Sequence, residues 1–149
     1  DVIDLSAAML RLTACRIPSH RKHSVRLLRQ DALRTDELPP GPYDAVVTHF
    51  FLDCFSELEA RRLIAALAAR LDPGSLWLVS EFRQPAEGWR SIHARAWLRV
   101  MYSFFRVTTG LRTSRLPPVT GLLQASGMDL REERMGWAEL MSAQVWQRR

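Results

Sequence analysis

The sequence predicts an α/β protein with a doubly wound, mostly parallel sheet flanked by helices and ending in an antiparallel hairpin. Short apolar runs alternate with helix-like segments along the first 79 residues, and this alternation favours βαβ units with parallel pairing. Polar or acidic residues follow these runs where each strand should end. Two strand-like segments close the chain, separated by Gly136 and Trp137, and they predict the hairpin.

The length and amino-acid composition of the chain predict one soluble domain. A chain of 149 residues, 47% hydrophobic and 25% charged, can bury a single core and is not disordered. No apolar run approaches the roughly 20 residues of a membrane-spanning helix, and no secretory leader pattern is present. These features favour a cytoplasmic protein. Cys15 and Cys54 match neither a disulfide framework nor a zinc site, so no metal is predicted and both are expected to be buried thiols.

The net charge of +5 and the pI near 10.2 favour anionic partners in principle. The arginines are dispersed, however, and lack the interleaved aromatic residues that are typical of an RNA-binding surface. A solvated, arginine-rich surface is therefore predicted, and a nucleic-acid partner is disfavoured.

The first half of the chain contains two strand–helix–strand patterns. Residues 1–10 resemble the end of a buried strand that passes through Asp4 into a helix capped by Ser6. The contiguous apolar residues of 43–48 predict a central strand buried on both faces. Ser56 and Glu59 form a capping box before a segment with a 3.6-residue period. The predicted elements are helix 7–15, loop 19–24, strand 25–28, strand 43–48, a helix from 56 closed by the turn 72–74, and strand 76–79.

The second half of the chain begins with an aromatic-rich helix at 93–107. A short helix at 119–126 ends at Gly127. Strands 129–135 and 138–147 then form the closing hairpin. No internal repeat or domain linker interrupts this order.

Four segments, taken in order, resemble the class I (Rossmann-like) S-adenosylmethionine-dependent methyltransferases of the small-molecule type. They are Val2-Ile3-Asp4-Leu5-Ser6-x-x-Met9-Leu10, Arg29-Gln30-Asp31-Ala32, the run from Tyr43 to Leu52, and Leu71-x-Pro73-Gly74-Ser75-Leu76-Trp77-Leu78. They are similar to the family's second to fifth strands and the turns that follow them. No single segment is decisive, but their ordered spacing is specific.

The resemblance implies S-adenosylmethionine as cofactor and S-adenosylhomocysteine as product. Ligands of such sheets bind beyond the carboxyl ends of the strands. The residues implied in cofactor binding are Asp4 at the ribose, Leu5 and Met9 beside the adenine, Asp31 at its exocyclic amine, Ala32 beside the ring, and His49 facing both cofactor and acceptor.

The resemblance also implies aromatic residues and histidines that bind the methyl acceptor or take its proton. Phe50 and Phe51 follow the fourth family strand, and Trp97 and Tyr102 lie on the aromatic helix, whose stripe is either a substrate lining or core. The candidate general bases are His49 and His93, although His49 can instead only hydrogen-bond the cofactor or the backbone. Two further acids have alternative roles. Asp53 either caps the next helix or touches substrate, and Glu81 either touches substrate or, as we favour, pairs with an arginine.

One part of the family pattern is missing. Its first strand and glycine-rich loop should precede Asp4 by roughly 20 residues, so residues 1–149 are expected to be a single methyltransferase domain that is N-terminally incomplete and unstable alone. The function predicted is methyl transfer to a small, partly apolar or aromatic molecule. The alternatives are a methyltransferase-like binding or assembly module without activity and an RNA methyltransferase. The acceptor, its reacting atom and the oligomeric state stay open.

Overall fold

A computed structural model describes residues 1–82, 117–136 and 141–149, which form two compact units, Asp1–Pro39 and Pro40–Arg149. The predicted aromatic helix lies outside the described residues. So do the candidate residues His93, Trp97 and Tyr102. In the described ranges, no helix has the length and apolar character of a membrane span.

The first unit contains one parallel βαβ element. Strand β1 spans Val2–Asp4, helix α1 spans Ala7–Arg16, and strand β2 spans Leu27–Arg29. β1 and β2 pair in parallel, as predicted. Ser6 caps α1, since its hydroxyl accepts a hydrogen bond from the Met9 N–H at 3.3 Å. The predicted strand–helix–strand pattern is thus confirmed, with β2 beginning two residues later than expected.

The segment predicted as a loop after α1 is a 3-10 helix over Ser19–Ser24. The residue before it, Pro18, has a φ of −56°, and its carbonyl accepts from the Arg21 N–H at 2.8 Å. Proline holds φ near the helical value, which favours such an i to i+3 bond. The polar composition of the segment did not reveal this local bonding.

The second unit is built on a four-stranded sheet with the order β3-β4-β6-β5. Its elements are β3 (Tyr43–His49), α2 (Glu57–Ala68), β4 (Leu71–Phe82), α3 (Val119–Ala125), β5 (Met128–Gly136) and β6 (Met141–Arg148). β3 and β4 pair in parallel, whereas β6 runs antiparallel to both β4 and β5. The predicted closing hairpin is therefore present.

The core of this unit is large and apolar. Its fully buried side chains of greatest volume are Trp77, Trp146, Leu52, Leu63, Ile64, Leu123, Met128 and Val79. Buried polar groups on the sheet are paired, because the Trp77 Nε1–H donates to the Thr48 hydroxyl at 3.0 Å and the Trp146 Nε1–H donates to the Gln144 side-chain oxygen at 2.9 Å. The first of these bonds joins β4 to β3, and the second lies within β6.

The capping box predicted at the start of α2 is confirmed. The Glu59 carboxylate accepts from the Ser56 N–H at 2.9 Å, and the Glu59 N–H donates to the Ser56 hydroxyl at 3.4 Å. We expect Ser56→Ala to lower the free energy of unfolding of the full-length protein by about 1 kcal/mol. Urea denaturation would measure this loss. Ser19→Ala is the control, because this exposed hydroxyl makes no hydrogen bond within the described residues, and an equal loss in both variants would contradict the assignment.

Strand β4 begins five residues earlier than predicted. The pairing passes directly from Tyr43 opposite Leu71 to Ala45 opposite Leu76, so the Asp72-Pro73-Gly74 turn lies inside the strand as an irregularity. Gly74 has a φ of +90°, which glycine adopts without strain. The predicted turn thus becomes a local bulge of a longer strand.

Strand β3 was predicted to be central and buried on both faces, and this prediction is wrong for the described sheet. β3 is at its edge, and Val47 is 55% exposed, although Thr48 on the other face is buried. The apolar run indicated burial without distinguishing one face from two. The prediction of two buried thiols is also wrong, since Cys15 is exposed on α1 and Cys54 is half-buried.

Candidate functional site

The predicted ribose and adenine ligands lie at one edge of the first unit. β1 and β2 run parallel with Asp4 opposite Arg29, and Asp31 follows two residues later. The Gln30 N–H donates to the Asp4 carbonyl at 3.2 Å, which extends the pairing to the point where β2 ends. Two carboxylates therefore follow the carboxyl ends of neighbouring parallel strands, the edge at which such sheets bind ligands.

Asp4 is held in place through one of its carboxylate oxygens. Its Oδ1 accepts from the Ser6 N–H at 2.7 Å, while Oδ2 has no hydrogen bond among the described residues. Ser6 in turn caps α1, so the carboxylate lies beside the positive end of that helix. This arrangement orients one oxygen and leaves the other available to a pair of hydroxyl groups.

Two apolar side chains near Asp4 are exposed. Leu5 and Met9 are 65% and 50% exposed, respectively. The backbone of Leu5 is fixed because its carbonyl accepts from Arg29 Nε at 3.3 Å. A carboxylate oxygen without a hydrogen bond, next to exposed apolar side chains, matches the groups of a nucleoside, which has sugar hydroxyls and a base that is flat and apolar on its faces.

Asp31 is also partly committed to its own loop. Its Oδ1 accepts from the Leu33 N–H at 3.0 Å, and its carbonyl accepts from the Arg34 N–H at 3.0 Å. The neighbouring Ala32 is half-buried. The loop is therefore ordered by local bonds, and the second oxygen of Asp31 can accept from an amino group.

In the second unit, His49 ends β3 and Phe50 follows it, and both residues are hydrogen-bonded to Ser80 of β4. A hydrogen bond of 2.9 Å joins His49 Nδ1 and the Ser80 hydroxyl, and the Phe50 N–H donates to the Ser80 carbonyl at 2.7 Å. Phe50 has a φ of +50°, a conformation that is uncommon for a side chain of this size. The imidazole is exposed, and its Nε2 has no hydrogen bond among the described residues.

Glu81 and Asp53 form a buried acid pair behind this turn. Glu81 accepts from the N–H groups of Leu52 and Asp53 at 3.0 and 3.3 Å, and the two carboxyl groups hydrogen-bond each other. Burial first, and the charge of Asp53 second, raise the pKa of Glu81 to about 8, although the two backbone N–H groups oppose this rise. The pair therefore holds a proton at neutral pH.

Burial likewise raises the pKa of the Cys54 thiol to about 12, which makes this thiol a poor nucleophile.

The favoured prediction for Glu81, an ion pair with arginine, is wrong within the part of the chain that the structure describes, because Glu81 binds backbone N–H groups instead. Of the two alternatives for Asp53, the one in which it caps the next helix is excluded. Ser56 is the cap, and Asp53 is only 4% exposed. The sequence showed two acids after two apolar runs, but not that the turn after β3 folds back onto β4.

The aromatic residues after β3 differ in their environment. Phe51 packs edge-to-face on Phe55, with ring centroids 5.0 Å apart, whereas Phe50 is 36% exposed.

A shallow cavity of about 230 Å³ lies beside His49 and is also lined by Ser80 and Arg134. Over residues 1–82, 117–136 and 141–149, no group of three metal-ligating side chains occurs.

No protein-family model matches the sequence, and neither does any curated protein. Solved structures are similar in fold. An O-methyltransferase family protein from Burkholderia thailandensis matches with a TM-score of 0.61 and 19% identity over 93% of this chain and 39% of that chain. A S-adenosylmethionine-dependent methyltransferase from Methanosarcina mazei matches with a TM-score of 0.67 and 18% identity over 98% of this chain and 80% of that one.

An enzyme with a different reaction has the same fold. The [4+2]-cyclase SpnF matches with a TM-score of 0.67 and 14% identity over 98% of this chain and 65% of that chain. The chain thus spans less than two thirds of the length of the Burkholderia protein and of SpnF. At these identities the likeness concerns the fold and leaves the reaction open. The chain has the class I, Rossmann-like fold of the S-adenosylmethionine-dependent methyltransferases.

Proposed function

We propose that the protein transfers a methyl group from S-adenosylmethionine to a small, partly apolar or aromatic molecule. The observation that carries this proposal is the position of Asp4 and Asp31 after the carboxyl ends of two paired parallel strands. The fold is shared with methyltransferases and with a cyclase, so the fold by itself does not choose the reaction.

The residues of the first unit fit a nucleoside. The free oxygen of Asp4 accepts from the ribose hydroxyls, and the exposed side chains of Leu5 and Met9 flank the adenine. Asp31 accepts from the exocyclic amine, with Ala32 beside the ring. Each role uses an oxygen or an apolar surface that the fold leaves accessible.

When bound, S-adenosylmethionine supplies a methyl group on a positively charged sulfur. A lone pair of the acceptor forms the new bond to the methyl carbon, the carbon–sulfur bond breaks, and its electron pair stays on sulfur in S-adenosylhomocysteine. In such an in-line displacement the protein aligns the two reactants and excludes water. An acceptor hydroxyl or amine must also lose its proton, and we propose His49 Nε2 as the group that takes it.

The acceptor side of the proposal rests on the turn after β3. We propose that Phe50 and Phe51 contact the acceptor: Phe50 is 36% exposed, and the ring of Phe51 packs edge-to-face on Phe55. Trp97, Tyr102 and His93 keep their predicted roles in acceptor binding and proton transfer. The cytoplasmic location also stays a prediction.

The proposal includes a further strand that pairs with β3. Among the described residues, β3 has a hydrogen-bonded neighbour, β4, on one side only. An open strand edge fits one more parallel strand, which would carry the glycine-rich loop of the resembled family. The experiments use the full-length protein.

The direct test is turnover with methyl-labelled S-adenosylmethionine and a panel of phenols, catechols, indoles and aromatic amines. We expect label in at least one of these acceptors together with an equal amount of S-adenosylhomocysteine. If His49 is the general base, His49→Ala lowers kcat by about 10²-fold or more, because general-base catalysis contributes at least that factor. If His49 only binds the cofactor, the variant raises KM for S-adenosylmethionine instead.

Other outcomes select the alternative functions. Label in RNA alone, with binding that weakens steeply as salt is raised, would support an RNA methyltransferase. Binding of S-adenosylmethionine without transfer to any acceptor would support a binding or assembly module. No binding of S-adenosylmethionine would contradict the proposal.

A further inference from the structure

The turn after β3 is attached to two consecutive residues of β4. Ser80 binds the side chain of His49 and the backbone of Phe50, and Glu81 binds the backbone of Leu52 and Asp53. Successive residues of a strand point to opposite faces, so these contacts reach the turn from both faces of the sheet. The positions of His49 and Phe50 depend on this attachment.

The contacts of Glu81 are buried. Its side chain is 6% exposed and Asp53 is 4% exposed. Burying a carboxyl group beside a second one costs free energy unless both are hydrogen-bonded. An apolar residue at position 81 would avoid this cost but would leave two backbone N–H groups of the turn unpaired. The pair therefore favours one turn conformation at the expense of stability.

We propose that Glu81 is a positioning residue, which holds the 50–54 turn through the N–H groups of Leu52 and Asp53 so that His49 and Phe50 meet the cofactor and the acceptor. This inference rests on the proposed function. Glu81 does not touch the reactants. It acts through the turn that carries the residues that do.

The proposal implies a response to alkaline pH. Within the described residues, the Asp53 carboxyl faces Glu81 and its charge opposes the ionisation of Glu81, while the nearby Cys54 thiol stays neutral in this pH range because burial raises its pKa to about 12. Loss of the shared proton places two negative charges side by side in a buried site, so the turn has to shift. Because the pKa of Glu81 is raised to about 8, this shift occurs above neutral pH.

The test compares the dissociation constants of S-adenosylmethionine and adenosine in the full-length protein. Adenosine carries the groups that Asp4 and Asp31 bind, and S-adenosylmethionine adds the part predicted to reach His49. Glu81→Gln keeps one acceptor but cannot accept from both N–H groups. We expect it to weaken S-adenosylmethionine binding about tenfold at pH 7, since one lost hydrogen bond corresponds to about that factor, and to leave adenosine binding unchanged.

The pH profile separates positioning from simple loss of structure. Wild-type affinity for S-adenosylmethionine should fall above pH 8, whereas that of Glu81→Gln should stay flat from pH 7 to 9. The control is Glu59→Gln, which removes a carboxylate acceptor of a backbone N–H at the cap of α2 and should not change the ratio of the two constants. The inference would be overturned if Glu81→Gln lost affinity for both ligands equally or for neither. It would also be overturned if the pH profiles of wild type and Glu81→Gln were parallel. If wild-type protein binds adenosine but not S-adenosylmethionine, or binds neither, the proposed function fails as well.

Discussion

Asp4→Ala should weaken the binding of S-adenosylmethionine to the full-length protein by about a hundredfold. The substitution removes hydrogen bonds from two ribose hydroxyls to a charged oxygen, each worth about 1.5–3 kcal/mol, and about 1.4 kcal/mol corresponds to tenfold in affinity. Asp31→Ala should cost about tenfold, because a single amine contact is lost. Isothermal titration calorimetry would measure both changes.

A matched control is available in the same unit. Asp36 is exposed and follows Asp31 in the same loop, so Asp36→Ala should leave the dissociation constant unchanged. Asp4→Asn keeps an acceptor for the Ser6 N–H and separates ribose binding from the local fold. Equal affinities for wild type and Asp4→Ala, with both proteins folded, would remove Asp4 from the site.

The free energy of unfolding should depend on pH through Glu81. Its pKa is about 8 in the folded protein and about 4.5 in the unfolded chain, so the unfolded chain releases the proton at lower pH. The contribution of Glu81 is therefore complete below pH 4.5, decreases as pH rises, and is lost above pH 8. The decrease over this window of about 3.5 pH units is on the order of 5 kcal/mol in total.

Urea denaturation of wild type and Glu81→Gln between pH 4 and 9 would measure this dependence. Glutamine has no proton to lose, so the variant should gain stability relative to wild type as pH rises through the window. Glu57→Gln, at an exposed pair with Arg61, should follow the wild-type curve above pH 5. A constant difference between wild type and Glu81→Gln at every pH would show that Glu81 ionises at its ordinary pKa.

Local signals in the sequence predicted local structure well. The Ser56 and Glu59 capping box, the Ser6 cap and the stop at Gly127 all act within four residues, and each lies where it was expected. The order of parallel pairs followed by an antiparallel hairpin was also predictable, because alternation of strand and helix limits the possible connections.

Features that depend on distant partners were not predictable. Glu81 contacts residues 28 and 29 positions away, and nothing near it in the sequence indicates those partners. Val47 belongs to an apolar run of the kind found in doubly covered strands, yet its exposure depends on what lies over the sheet. The part of β4 before Leu76 was not predicted, because proline and glycine usually end a strand or helix, whereas here they form a bulge within β4.

The candidate site shows the same division. The sequence indicated that Asp4 and Asp31 end neighbouring strands, and the parallel register of β1 and β2 brings them to one edge. It did not indicate that one oxygen of each carboxylate already accepts a hydrogen bond from a backbone N–H two residues along the chain. A ligand can therefore donate hydrogen bonds to the second oxygen of each carboxylate.

A crystal structure of the full-length protein with S-adenosylhomocysteine would show whether the nucleoside lies at the carboxyl ends of β1 and β2. We expect both ribose hydroxyls within hydrogen-bond distance of Asp4, the adenine amino group at Asp31, and Leu5 and Met9 against the ring. Density for the nucleoside away from the carboxyl ends of β1 and β2, with Asp4 bonded to Ser6 alone, would contradict it.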